Sequence, residues 1–125
     1  MFATMPTLHA IRLVYLEGLQ ALRNSCERIQ NLIPYVRLHL PADNELSEEL
    51  AVLISAYDMA TRRIRKMIEP ELLDRLDDLA FLTLMRRFEN VPQRIYKTIE
   101  GCRQFLDDKI GVKDLVPLFA TLIIK

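Results

Sequence analysis

The sequence is poor in the residues on which several classes of small protein depend. Its 125 residues include no tryptophan, three glycines, two histidines and two cysteines. Two cysteines are too few for a disulfide-stapled scaffold, and Cys26 and Cys102 do not form a Cys-x-x-Cys pair. We therefore expect reduced thiols and a cytoplasmic protein. The few glycines form no glycine-rich loop of the kind that binds phosphate groups.

Neither sign of charge predominates. Seventeen lysines and arginines balance 17 aspartates and glutamates, so the formal net charge is zero. This balance disfavours a dedicated nucleic-acid-binding domain, which is usually strongly basic. A hydrophobic content of 50% disfavours disorder. No apolar run approaches the roughly 20 residues of a membrane span, and no basic start of a signal peptide precedes the first apolar residues. We expect a single domain over residues 1–125 with no membrane span.

Apolar residues recur at helical spacing along most of the chain, and no segment alternates as a β-strand does. The stripe of the first helix has a gap at Arg12 and meets Pro34. A proline inside a helix removes a backbone hydrogen bond and clashes with the preceding turn, which predicts an end or a sharp kink near Leu32. Pro70 and Pro92 lie where the first turn of a helix tolerates proline. The pattern predicts a mainly antiparallel all-α bundle of four to five helices, at 7–33, 44–68, 70–89, 92–110 and 114–124.

The first and third predicted helices are distinctive. The first is about 27 residues, or roughly 40 Å, long. The middle of the third helix, "LAFLTLM" at 79–85, is apolar on nearly every side. A helix that is apolar all round is usually buried all round. We therefore expect the third helix to lie at the centre of the bundle.

Cations close the predicted second helix and acids open the third. Each set complements the dipole of its own helix end, by roughly 0.3 to 1 kcal/mol per charge. We therefore interpret the cations first as helix-end charges. The cations could instead meet an acidic surface of a partner protein, or they could belong to a nucleic-acid-associated accessory protein. The second alternative is disfavoured because no aromatic side chain lies among the cations to stack on a base. The basic patch of this alternative would consist of Arg62, Arg63, Arg65, Lys66, Arg86 and Arg87.

No catalytic or metal-binding motif emerges from the spacing. His9 and His39 lie 30 positions apart, and neither follows a glutamate by three, so the di-iron motif of helical bundles is missing. Both cysteines fall on apolar stripes, where a thiol packs as a small hydrophobe. We expect no metal, no cofactor and no enzymatic activity. An enzyme of unusual type would need Arg12, Glu17 or Asp58 turned into a polar pocket.

The chain carries more apolar side chains than we expect a monomer of this length to bury. Contiguous exposed apolar surface usually marks a partner site, and the twofold homodimer is the commonest symmetric assembly. We expect a non-enzymatic helical interaction module that forms a homodimer or binds another helical protein. Two alternatives remain, a bundle that buries all its own apolar residues and a piece of a longer chain whose end packs elsewhere. The almost wholly apolar last segment supplies the candidate interface, Leu115, Leu118, Phe119, Leu122 and Ile123.

Overall fold

The computed structural model describes residues 7–122, and these residues form six helical segments and no β-strand. The predicted all-α bundle with a long first helix is confirmed. α3 is a single turn of four residues. The segments are α1 (Leu8–Leu38), α2 (Ser47–Met67), α3 (Pro70–Leu73), α4 (Asp78–Arg87), α5 (Val91–Leu106) and α6 (Val112–Ala120).

The core lies between α1, α2, α5 and α6. α5 packs against both α1 and α6, and α2 packs against the same two helices. Tyr57 of α2 meets Phe119 of α6 edge-on, with ring centroids 5.0 Å apart and planes at 71°. Such a pair contributes about 0.5 to 1.5 kcal/mol beyond the burial of its area. α2 and α6, which lie in different halves of the chain, therefore pack together through an aromatic pair as well as through aliphatic side chains.

Side-chain hydrogen bonds show that α1 and α2 run in opposite directions. Arg37 Nη2 donates to Ser55 Oγ at 3.1 Å. Towards the start of α1, Gln30 Nε2 donates to Thr61 Oγ1 at 3.1 Å, and Gln30 Oε1 accepts from Arg65 Nη1 at 2.8 Å. Residue numbers fall along α1 as they rise along α2, which is the order of contacts in an antiparallel pair. The hydrogen bonds between α5 and α6 follow the same order.

Pro34 does not end the first helix, so of the two outcomes expected there, an end or a sharp kink, the end near Leu32 is wrong. α1 continues four residues beyond Pro34, to Leu38. The Pro34 side chain is exposed. Ile33 and Val36, on either side of the proline, are both buried. Burial of this last turn offsets the one backbone hydrogen bond that proline removes.

The predicted third helix is two segments rather than one. The Asp77 carboxylate accepts from the Ala80 N–H at 2.7 Å and caps α4. An aspartate in this position favours the start of a new helix over the continuation of the old one. The expectation that this segment is buried on all sides is also corrected, because Phe81 and Met85 are buried while Leu79 is 68% exposed.

α5 ends four residues before the predicted position 110. Asp108 adopts a φ of 59°, and the Lys109 N–H donates to the Gln104 carbonyl at 2.8 Å. This is a Schellman cap, whose left-handed residue is usually glycine. Gly111 directly precedes α6, and its N–H donates to Asp114 Oδ2 at 3.0 Å.

Candidate docking grooves beside α4

The apolar residues of the C-terminal segment lie in the core of their own chain. Leu115, Phe119 and Leu122 are 0%, 1% and 2% exposed, and Leu118 is partly buried against them. Ile123 lies outside the described residues. Since α6 packs against α2 and α5, the predicted interface residues are not on a free surface. Apolar composition indicates that a segment is buried against another element, but it does not indicate whether that element belongs to the same chain.

The six cations of the alternative basic patch do not share one surface. Arg62 pairs with Asp58 at 3.1 Å, and Arg65 donates to Gln30 of α1 at 2.8 Å. The two other cations of α2 are exposed near its C-terminal end. The two arginines of α4 line different grooves, on opposite sides of that helix. Of the cations of α2, Arg62 therefore acts within its own helix and Arg65 acts towards α1.

α4 packs against α1 and leaves an open groove on each flank. The first, of about 750 Å³, is named the α1/α4 groove, and the second, of about 510 Å³, is named the α3/α4 groove. The α1/α4 groove is lined mainly by Ile11, Tyr15, Gly18, Leu82, Arg86 and Glu89. The α3/α4 groove is lined mainly by Leu72, Arg75, Leu76, Ala80, Leu84 and Arg87.

The α1 wall of the α1/α4 groove is a continuation of the core stripe of that helix. Leu19 and Leu22 are buried, but Tyr15 is 47% exposed one turn earlier. Gly18 is exposed, and a Cβ built on it meets no atom within 4 Å. Val14, beside this wall, is also exposed. The apolar face of α1 therefore remains partly uncovered for about two turns before Leu19.

Arg12 fastens the segment of α3 and α4 to α1. Its guanidinium donates to the carbonyls of Leu73 at 2.6 Å and Leu76 at 2.5 Å, and lies 3.3 Å from an Asp78 carboxylate oxygen. It also lies 4.8 Å from the centroid of the Phe81 ring, within the range of a cation–π contact. Its side chain is 13% exposed. These contacts explain the gap in the apolar stripe, because carbonyls at the end of a helix need donors.

The polar residues on which an unusual enzyme would depend do not meet in one pocket. Arg12 is turned inward, but backbone carbonyls and a carboxylate engage it. Glu17 is exposed, and Asp58 pairs with Arg62. Between residues 7 and 122, no group of three His, Cys, Asp or Glu side chains is placed to hold a metal ion. In the same part of the chain, no helix combines the length and apolar character needed to cross a membrane.

The polar groups inside the core are protonated and lie away from both grooves. Burial raises the pKa of Cys26 to about 11, against the opposing influence of Arg65, and raises that of Cys102 to about 12. Burial also raises the pKa of Tyr57. The nearby Thr98 hydroxyl donates to backbone carbonyls, and the Tyr57 hydroxyl finds no hydrogen-bond partner among the described residues. A protonated thiol is a poor nucleophile, so these groups act as packing.

Comparisons of this chain with protein-family models, with curated proteins and with solved structures find no match. The functional argument therefore depends on the two grooves and on the residues that line them.

Proposed function

We propose that this chain is a non-enzymatic helical interaction module that forms a homodimer through the α1/α4 groove. The observation that carries the proposal is the uncovered start of the α1 stripe, where Ile11, Tyr15 and Gly18 line an open groove. Contiguous exposed apolar surface usually marks a partner site. Reduced thiols at Cys26 and Cys102, both free and buried, suit the cytoplasm as the compartment.

The exposed apolar side chains near the start of α1 support an absent partner. Leu8, Leu13, Val14 and Tyr15 are 49%, 54%, 72% and 47% exposed, and all four lie within about two turns of one helix. A partner seated on this part of α1 would remove these side chains from water.

A second copy is the occupant that fits this groove. The start of α1 supplies both a wall of the groove and exposed apolar side chains beside it, Leu8 and Val14. A twofold axis can therefore bring the same helix to both sides of the interface. The rim carries Arg86 and Glu89. In a twofold dimer, Arg86 of one copy can therefore lie near Glu89 of the other copy, and the reverse. Each such exposed pair contributes under about 1 kcal/mol, so apolar contact supplies the affinity and the charges set the register.

Replacing Gly18 with arginine tests the dimer without weakening the fold. The new side chain enters open space, since no atom lies within 4 Å of the Cβ position. It also replaces a glycine inside a helix by a better helix former, which stabilises the helix by up to about 1 kcal/mol. We expect light scattering at micromolar concentration to give twice 14.6 kDa for the natural sequence and 14.6 kDa for Gly18→Arg.

The matched control is Asn31→Arg, which adds the same charge at an exposed position of α1 outside the groove. We expect this variant to keep the dimer mass. A monomer mass for the natural sequence, or a dimer mass for Gly18→Arg, would show that the α1/α4 groove is not a homodimer interface.

A further inference from the structure

The α3/α4 groove differs from the α1/α4 groove in the charge of its rim. Its floor consists of apolar side chains, among them Leu72, Leu76 and Leu84. Its two charged lining residues are Arg75 and Arg87, both exposed. Within the described part of the chain, neither arginine forms an ion pair. Among the described residues, the groove is therefore an apolar depression flanked by two arginines that have no carboxylate in direct contact.

Both sides of α4 are apolar, but this chain covers one side. Phe81 and Met85 pack towards α1 and are buried. Ala80 and Leu84 lie on the side of the α3/α4 groove, together with Thr83 and Arg87. This side is extended by Leu72 and Met67, whose side chains are exposed. A helix that is apolar on both sides is typical of a helix covered on both sides.

We propose that the α3/α4 groove binds an amphipathic helix of another protein, with apolar side chains in the groove and acidic residues on its flanks. Ala80, Leu84 and Arg87 follow the i, i+4, i+7 spacing of one helix face and span about two turns. A helix laid into such a groove uses anchors at the same spacing. Carboxylates beside these anchors would meet Arg75 and Arg87 as charge-assisted partners.

The charges select this occupant over a second copy. A twofold contact at this groove would place the Arg75 and Arg87 of one copy near the same arginines of the other, and juxtaposed like charges oppose association. The site lies on the side of α4 opposite the α1/α4 groove, so it does not depend on the proposed homodimer. A Gly18→Arg monomer should therefore still bind the acidic helix.

The test uses two labelled synthetic peptides of about 14 residues, roughly four turns each. Both carry leucine at i, i+3 and i+7, and one has glutamate on its flanks where the other has lysine. Fluorescence anisotropy measures their binding to the full chain. We expect the acidic peptide to bind and the basic peptide to bind at least about tenfold more weakly. Equal binding of the two peptides, or no binding of the acidic one, would overturn the proposal.

Charge reversal at the rim identifies the groove. In the Arg75→Glu/Arg87→Glu variant we expect the affinity for the acidic peptide to fall by about tenfold or more and the affinity for the basic peptide to rise. Arg28→Glu/Lys97→Glu makes the same change in net charge at exposed positions outside the groove, and we expect it to leave both affinities within about twofold of the original. Circular dichroism checks that each variant is folded.

Two results would show that Arg75 and Arg87 do not bind an acidic helix. Unchanged acidic-peptide affinity in Arg75→Glu/Arg87→Glu would show that the peptide binds elsewhere. If vesicles of anionic lipid or a DNA duplex bind in an arginine-dependent manner and the acidic peptide does not, the groove would be a polyanion site, which also overturns the helix proposal. Loss of the homodimer in Gly18→Arg with retained peptide binding would leave this proposal standing.

Discussion

Replacing Arg12 with methionine is expected to loosen the segment of α3 and α4. Arg12 donates to the carbonyls of Leu73 and Leu76, pairs with Asp78 and lies over the Phe81 ring, and its side chain is 13% exposed. Methionine keeps the length and the apolar stem of arginine but supplies no donor. The Leu73 carbonyl would then keep only the Leu76 N–H as its donor, and the Leu76 carbonyl would lose the Arg12 donor.

The magnitude follows from these contacts. Hydrogen bonds from a charged donor contribute about 1.5 to 3 kcal/mol each, and the cation–π contact contributes about 1 kcal/mol. The contacts share one guanidinium, so their contributions do not add in full. The methionine thioether recovers about 1 kcal/mol through burial, and Asp78, 35% exposed, can be hydrated again. We expect the free energy of unfolding to fall by about 2 to 4 kcal/mol.

Urea unfolding and amide hydrogen exchange measure this effect, with Arg62→Met as the control. Arg62 is 62% exposed and pairs with Asp58 one turn away, so its loss should cost under about 0.5 kcal/mol. We expect the amides of α4 to lose protection in Arg12→Met before those of α5. If the two variants have equal free energies of unfolding, or if α4 keeps its protection in Arg12→Met, then Arg12 does not fasten this segment.

The other predictions concern the core. Burial raises the pKa of Cys26 to about 11 and of Cys102 to about 12, from 9.0, so the unfolded chain loses these protons first and stability should fall between about pH 9 and 12. Urea midpoints measured across this pH range should fall less steeply for Cys102→Ala than for the natural sequence. An equal fall in the two proteins would contradict the contribution assigned to the Cys102 thiol. Gly18→Ala, whose Cβ meets no atom, should stabilise the fold by about 0.5 to 1 kcal/mol. Gly101→Ala should stabilise the fold by less than Gly18→Ala, because its Cβ would overlap Leu118 Cδ1 and the Leu118 side chain must move. In a Leu118→Ala background the gain from Gly101→Ala should increase, and an unchanged gain there would contradict the packing argument.

Local patterns placed most of the helices but not all of their ends. Pro70 and Pro92 lie in first turns, as their sequence context predicts. The break at Asp77 and the cap at Asp108 were not predictable, because an aspartate is equally compatible with an exposed position inside a helix. Pro34 misled the prediction for a different reason, since burial of the residues around it outweighs its local cost.

The candidate site was harder to predict than the fold. The stretch "LAFLTLM" at 79–85 indicates that α4 has neighbours on several sides, since a helix that is apolar all round is usually buried all round. The pattern predicts a central position in the bundle, whereas in the structure α4 packs chiefly against α1. Arg12 also carried a signal, as the one charged residue on an apolar stripe. Its partners, however, lie more than 60 positions away along the chain.

The sequence by itself determined that this protein is helical and that it carries abundant apolar surface, because both properties follow from residue type and from spacing over a few turns. The tertiary structure alone decided which apolar surface is covered. Leu115 and Phe119 are buried, while Tyr15 and Leu79 are exposed, although all four lie in apolar stretches of similar character. The reason is physical: burial depends on which distant helix lies alongside, and local periodicity holds no information about that pairing.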